Sequence, residues 1–247
     1  MKRIAFVFHL GLLLALVFVS CSSVSMHPAA YVEGTENFIS SDIEHKQLAR
    51  RIIWKNYELK LEGVRNNLTQ RTIDGRGKLS GTLSQHGTFY KNGEELFSTD
   101  IFNEVDGYVA ETKNSRDTLT DNSYRIETGT EKSVFLLNTT GDDTLLKDER
   151  DFSVVFTQIS TSINEHGKIY NMWFNATMGI SVEVDGELYA VVDYYHNPPR
   201  VRENPQFSKT LTETQKDELV SLMLALFNYE VSFKSTDLEA SSKIDIR

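Results

Sequence analysis

The chain has 247 residues, 40% of them apolar and 11% aromatic, which is enough for a buried core and excludes global disorder. Four prolines and 14 glycines exclude collagen-like and proline-rich classes. A net charge of −9 argues against a nucleic-acid partner and against adhesion to anionic lipid through a basic patch, because both need clustered Lys and Arg.

Met1-Lys2-Arg3 is a short cationic start, and Ile4 to Val19 is an apolar run broken only by His9 and Gly11. The run is shorter than the roughly 20 residues of a helical membrane span. Residues 1–20 therefore read as a secretory signal. It ends in Val19-Ser20-Cys21. This stretch resembles the lipobox of bacterial membrane lipoproteins, where a small residue precedes a cysteine that is acylated and becomes the mature N-terminus. Phe18 stands where that family usually has Leu, Val or Ile. The resemblance implies palmitate-type lipidation at Cys21 and a bacterial cell-envelope location. Ser22 replaces the aspartate associated with inner-membrane retention, which favours the outer membrane or cell surface over the inner membrane. Cys21 is the only cysteine, so an exported chain holds no internal disulfide. Each buried acyl CH₂ would add about 0.8 kcal/mol to the anchor.

Residues 21–40 are small, polar and aperiodic, and read as a flexible tether. A single β-rich domain is expected over 41–234, with a polar tail at 235–247. Ser41-Asp42-Ile43-Glu44 fits a capping box, predicting a short N-terminal helix to about Arg51. Alternation around Tyr57, Leu59 and Leu61 predicts a first strand from Ile53, followed by a polar connector from Gly63 to Gly77. Leu79 to Tyr90 and Glu95 to Phe102 form a hairpin about Asn92-Gly93, the residue pair of a type I′ turn. Gly107–Glu111, Ser123–Thr128, Ser133–Asn138 and Asp151–Ile159 are shorter strand candidates. Asp117–Asn122, Thr139–Asp143 and Lys147–Asp151 read as the turns between them.

The longest alternation runs from Tyr170 to Val184. Asp185-Gly186 supplies a second type I′ turn, and Glu187 to Tyr195 returns. After His196-Asn197-Pro198-Pro199, residues Arg200–Lys209 read as a loop. Thr212 and Gln215 form a capping box for a helix that is apolar around most of its girth, from Leu219 to Phe227, and so must be buried. Val231–Lys234 suggests a last strand. The expected fold is mainly β (β-rich α+β): an antiparallel sandwich or incomplete barrel built from long hairpins, with a short N-terminal and a buried C-terminal helix. Asn92-Gly93-Glu94 is echoed by Asp185-Gly186-Glu187, with Asp100 and Asp193 equally spaced beyond them. Duplication of a hairpin and the demands of a type I′ turn both account for this.

If Val184 pairs with Glu187 and the register holds, Asp193 faces Met178 on the apolar side. A carboxylate there is either a ligand-orienting group or a rim residue bonded to an amide or an arginine. On the other face Tyr194 lies beside Thr177 and His196 beside Asn175. With Trp173 they form a candidate polar-aromatic binding patch, or simply the second face of the sheet. The mature histidines (His27, His45, His86, His166, His196) are scattered, with no cysteine partner, so no metal site and no cofactor are expected. No nucleophile motif of the Gly-x-Ser-x-Gly or Ser-x-x-Lys type is present, and no catalytic residue is assigned.

The leading expectation is a lipid-anchored, non-enzymatic binding or structural module. Its partners would be the membrane, through the N-terminal lipid, and a protein, glycan or lipid ligand. A carrier of lipid or another apolar molecule in a sheet–helix cavity is the alternative. A hydrolase using carboxylates ranks third.

Overall fold

Period-two stretches bounded by Asn-Gly and Asp-Gly turns become strands in the computed structural model. It describes residues 35, 37–73, 76–111, 116–138, 145–147, 154–159, 161–163, 169–171, 179–194, 198–206 and 211–233. The strands are β1 (Ile39–Lys46), β2 (Arg51–Trp54), β3 (Tyr57–Leu61), β4 (Arg65–Asn66), β5 (Thr69–Ile73), β6 (Arg76–Lys91), β7 (Glu94–Glu111) and β8 (Arg116–Thr128). They continue as β9 (Ser133–Asn138), β10 (Leu145–Lys147), β11 (Val154–Ile159), β12 (Thr161–Ile163), β13 (Ile169–Asn171), β14 (Gly179–Val184), β15 (Glu187–Asp193) and β16 (Arg200–Glu203). The α-helix α1 (Glu213–Asn228) follows.

Fourteen strands share one antiparallel sheet, in the order β3-β2-β1-β16-β15-β14-β11-β10-β9-β8-β7-β6-β4, with β5 also on β6. β3 pairs with β6 as well, from Tyr57↔Lys91 to Leu61↔Gly87. Leaving out β4 and β5, the remaining twelve strands thus form a closed hydrogen-bonded path, a barrel rather than a sheet with two free edges. The mainly β, antiparallel class expected from the hairpins is what forms.

The path divides into two meanders of one plan. The first is β1-β2-β3-β6-β7-β8 and the second β9-β10-β11-β14-β15-β16, sealed by the β8–β9 and β1–β16 pairings. Each carries two short strands at the same point of the plan, β4 and β5 in one, β12 and β13 in the other. The long hairpins repeat in detail. Asn92 and Gly93 have φ 53° and 82°, Asp185 and Gly186 φ 51° and 80°, so both turns are type I′. Each hairpin then bulges at the same place. Phe89 pairs with Phe97 and Tyr90 with Glu95, skipping Leu96. Val182 pairs with Ala190 and Glu183 with Leu188, skipping Tyr189. The turn and the bulge repeat between the two meanders, whereas the short strands differ: β4 and β5 pair with β6, and β12 pairs with β13 in a separate two-stranded sheet.

The inner face of the barrel is apolar and wraps α1. Leu219, Val220, Leu222, Met223, Leu224, Ala225, Leu226 and Phe227 are all buried, so the helix buries apolar side chains around its whole circumference. Thr212 caps it, accepting from Gln215 N (3.2 Å) while its own N–H donates to Gln215 Oε1 (3.0 Å), the capping box expected. Facing it are Ile43, Leu59, Phe89, Ile101, Ile126 and Phe135 from six strands of the first meander and its neighbour. Polar contacts fix its rotation. Ser221 meets Thr99 at 2.7 Å and Thr128 at 2.8 Å, and those two threonines meet each other at 2.8 Å, all buried. Outward positions carry ion pairs instead, Arg51–Glu58, Lys78–Asp106, Arg125–Glu127 and Arg200–Asp42, and a hydrogen bond between His86 and Asp100.

Several expectations are corrected. The N-terminal helix is strand β1, followed by a 3-10 turn at Gln47–Ala49. Pairing with β2 and β16 outweighs the local capping pattern, because it places Ile43 in the core. The first strand is two, β2 and β3, joined by a turn with Lys55 at φ 56°. The polar connector contains β4 and β5, and Asp117–Asn122 lies within β8 rather than in a turn. The loop after the prolines contains β16, and Val231–Phe233 belongs to a π turn (Tyr229–Phe233) continuing α1. Of the Tyr170–Val184 alternation, the ends lie in β13 and β14, and 172–178 fall outside the described residues.

Gly129 has φ +90°, and a Cβ on it would sit 2.5 Å from Glu218 Oε1 on α1. At Gly93, with φ +82°, nothing lies within 4 Å. Both substitutions to alanine incur the left-handed strain of about 1–2 kcal/mol. Gly129→Ala is expected to lose more stability than Gly93→Ala in urea denaturation, because it also forces the buried Glu218 side chain to move.

Candidate binding cleft

At the C-terminal end of α1 the barrel opens into a cleft of ≈ 490 Å³. Its rim starts with β1, which delivers His45 and then turns through Gln47–Ala49 to Arg50. Arg50 adopts φ 51° and ψ 47°, a left-handed conformation that an arginine takes only where its surroundings hold it. Two backbone bonds do so: Arg50 N donates to Gln47 O (3.1 Å), and Leu61 N donates to Arg50 O (2.9 Å). The opposite wall is the end of α1 and the π turn, with Asn228, Ser232 and Phe233. Leu61, Gly63 and Val64 complete it from the exit of β3, and Gln85 from β6.

The polar groups of the cleft are ordered by a relay. Gln85 donates from Nε2 to Glu62 O (2.8 Å) and accepts at Oε1 from Asn228 Nδ2 (2.8 Å). Both carboxamides are buried, so the relay fixes which end of Asn228 is the donor and leaves its Oδ1 as an acceptor. The His45 ring packs edge-on against Phe227 (centroids 5.5 Å apart, 86°). Burial holds its pKa below the ordinary 6.5, so it is a neutral imidazole at neutral pH. Arg50 has no carboxylate partner among the described residues, and none of the described lining residues is acidic. The cleft therefore offers a cation, a neutral imidazole, carboxamides and an apolar wall.

The other end of the barrel is closed by charge. Lys91 Nζ donates to Asp217 Oδ1 (2.7 Å) and Glu213 Oε2 (2.9 Å), and Tyr57 Oη donates to Asp217 Oδ1 (3.0 Å). Close by, Glu203 takes Lys55 Nζ and Tyr189 Oη. Burial, then the Asp217 carboxylate, pushes the Tyr57 phenol up to about 12. Burial likewise pushes Tyr189 up, helped by Glu203. Hydrogen bonds from Lys91 and Lys216 hold Glu213 down at about 2. For Lys91, burial lowers the pKa, but the bonds to Asp217 and Glu213 outweigh it and the ammonium is favoured. This end clamps the first turns of α1 to β3 and β6.

The expected site residues lie elsewhere. Asp193 is buried at the end of β15, opposite Gly179 on β14 and Arg200 on β16. It was expected on the apolar face beside Met178. The bulge at Tyr189 shifts the register by one and turns Asp193 to the outward face, in a row with Arg200 and, on β1, Asp42. Arg200 donates from Nε to Asp42 Oδ1 at 2.7 Å. Tyr194 sits just beyond β15 with its ring 5.5 Å from Phe227, the same ring that supports His45. Tyr194 thus packs on the same α1 ring as His45, which lines the cleft. Trp173, His196 and Cys21 lie outside the described residues. Arg50, Gln85 and Asn228 were not foreseen, and His45 figured only as a scattered histidine. Among the described residues no three His, Cys, Asp or Glu side chains converge as for a metal ion.

No protein family, no curated protein and no solved structure matches the chain.

The clamp gives a sign for alkaline stability. Tyr57 titrates at about 12 folded against 10.0 ordinarily, so its contribution is complete below pH 10 and lost as pH rises toward 12. Urea unfolding should show stability falling over that window, and Tyr57→Phe should flatten the fall while costing about 1 kcal/mol at pH 7.

Proposed function

We propose that this chain is a lipid-anchored protein of the bacterial cell envelope, acylated at Cys21, that acts as a non-enzymatic binding module. The ligand is a small polar molecule taken up in the cleft at the barrel mouth. The observation that carries this reading is the division of the interior. α1 fills the barrel with side chains from Leu219 to Phe227, while the cleft at its C-terminal end carries polar groups beside an apolar wall. A carrier of apolar molecules would use the space that the helix occupies. The described lining of the cleft holds no carboxylate to act as acid or base for hydrolysis.

Two further features support placement in water beside a membrane. The first meander is apolar inside and charged outside, the reverse of a membrane-spanning barrel, where a charge facing lipid costs roughly 2–4 kcal/mol at the midplane. The chain also approaches from the clamped end. Ile39, at the start of β1, pairs with Glu203, whereas Lys46, at its end, leads into the cleft rim. An anchor at Cys21 therefore joins the barrel at the end away from its binding mouth.

Labelling bacterial cells with a fatty-acid analogue should mark the protein, and Cys21→Ser should abolish the label; unchanged labelling would remove the anchor. Mass spectrometry of solvent extracts from the purified protein separates module from carrier. No stoichiometric non-covalent lipid is expected, and its recovery would establish the carrier reading instead.

A further inference from the structure

Resting on the reading of the cleft as a binding site, we infer that its ligand is a hydroxylated carboxylate of the sugar-acid class, with its anionic group on Arg50. Three features of the cleft point there. Arg50 is the one formal charge in the described lining, it makes no ion pair among the described residues, and its backbone is held at both ends by Gln47 and Leu61. The guanidinium lies along Gly63, where a Cβ would come 3.2 Å from Nη1, so the missing side chain leaves the planar fork room to present its donors. A guanidinium fork matches a carboxylate through two parallel hydrogen bonds.

The second feature is an acceptor for a hydroxyl group. The relay from Glu62 O through Gln85 takes one N–H of the Asn228 amide and so fixes its orientation, leaving Oδ1 as an acceptor on a residue that is 2% exposed and lines the cleft. A carboxylate alone has nothing to donate there; a polyol does. The third is the wall. Phe233, Leu61 and Val64 offer an apolar surface to the C–H face of a sugar ring, and neutral His45 adds a polar group without a second charge. A bare inorganic anion would leave this wall and Asn228 unused. A neutral sugar would leave Arg50 unused.

The test is calorimetric titration of the full acylated chain in detergent with glucuronate, galacturonate, glucose, galactose and inorganic phosphate. At least one uronate should bind about tenfold more tightly than its neutral parent, the size of one charge-assisted hydrogen bond. Arg50→Gln should remove that tenfold preference without lowering the melting temperature, and Arg50→Lys should restore part of it. Gln85→Ala should weaken uronate and neutral sugar alike, because it releases Asn228 rather than the charge. Equal binding of uronate and parent sugar, or a preference that survives Arg50→Gln, overturns the sugar-acid assignment and leaves the cleft a binding site. Phosphate binding without uronate binding also overturns it, in favour of a simple oxyanion site. If none of the five binds and a screen of small polar metabolites shifts no amide signal of cleft residues, the binding reading falls with it.

Discussion

The structure depends on one insertion: an apolar helix inside a closed sheet. A barrel of about eight strands fills its own interior with side chains, and a wider one leaves a lumen. Twelve strands close this barrel, and a helix about 10–12 Å across occupies what would otherwise be empty. The requirement runs both ways. A helix apolar on every side has no stable place in water, and the inward rows of Ile, Leu and Phe have no other apolar surface to meet. The Thr99–Thr128–Ser221 triangle adds direction, because three buried hydroxyls satisfy one another only when the helix is correctly rotated.

The insertion makes the two ends of the barrel different. At the N-terminal turns of α1, Lys91, Tyr57 and Asp217 join helix to wall through short charged contacts. At its C-terminal end the contacts to the wall among the described residues are neutral: Asn228 to Gln85, Phe227 to His45 and Tyr194, and Tyr229 to Tyr124. The cleft exists because the helix stops there, and its chemistry comes from the strands and turns that overhang that stop. A barrel that wraps α1 in this way has two unlike ends. The second meander has its own hairpin and bulge, yet its outward face around Ser181, Val191 and Asp193 is buried, unlike the charged outer face of the first. The two meanders set the wall; α1 decides which part of it frames a site.

The candidate site was largely invisible along the chain. Asp193 stood out because a simple register placed it among apolar residues, and one extra residue at Tyr189 was enough to reverse its face. Arg50 gave no signal because its neighbours fitted a capping box, a local pattern that long-range pairing of β1 with β2 and β16 overrode. Gln85 and Asn228 are 143 positions apart and become partners only through the packing of α1 on β6.

What the sequence by itself determined is what short-range geometry determines. The type I′ turns at Asn92-Gly93 and Asp185-Gly186 follow from residues that tolerate positive φ. The Thr212–Gln215 cap and the burial of α1 follow from side chains within a few turns of one another. The β-rich antiparallel class follows from alternation between turn residues. Tertiary structure alone decided the bulges, the conversion of the N-terminal segment to a strand, the β3–β6 pairing that closes the barrel, and the cleft. Each of these depends on which distant backbone a segment meets. A period of two says that a strand has two faces, but only its partners say which face is in.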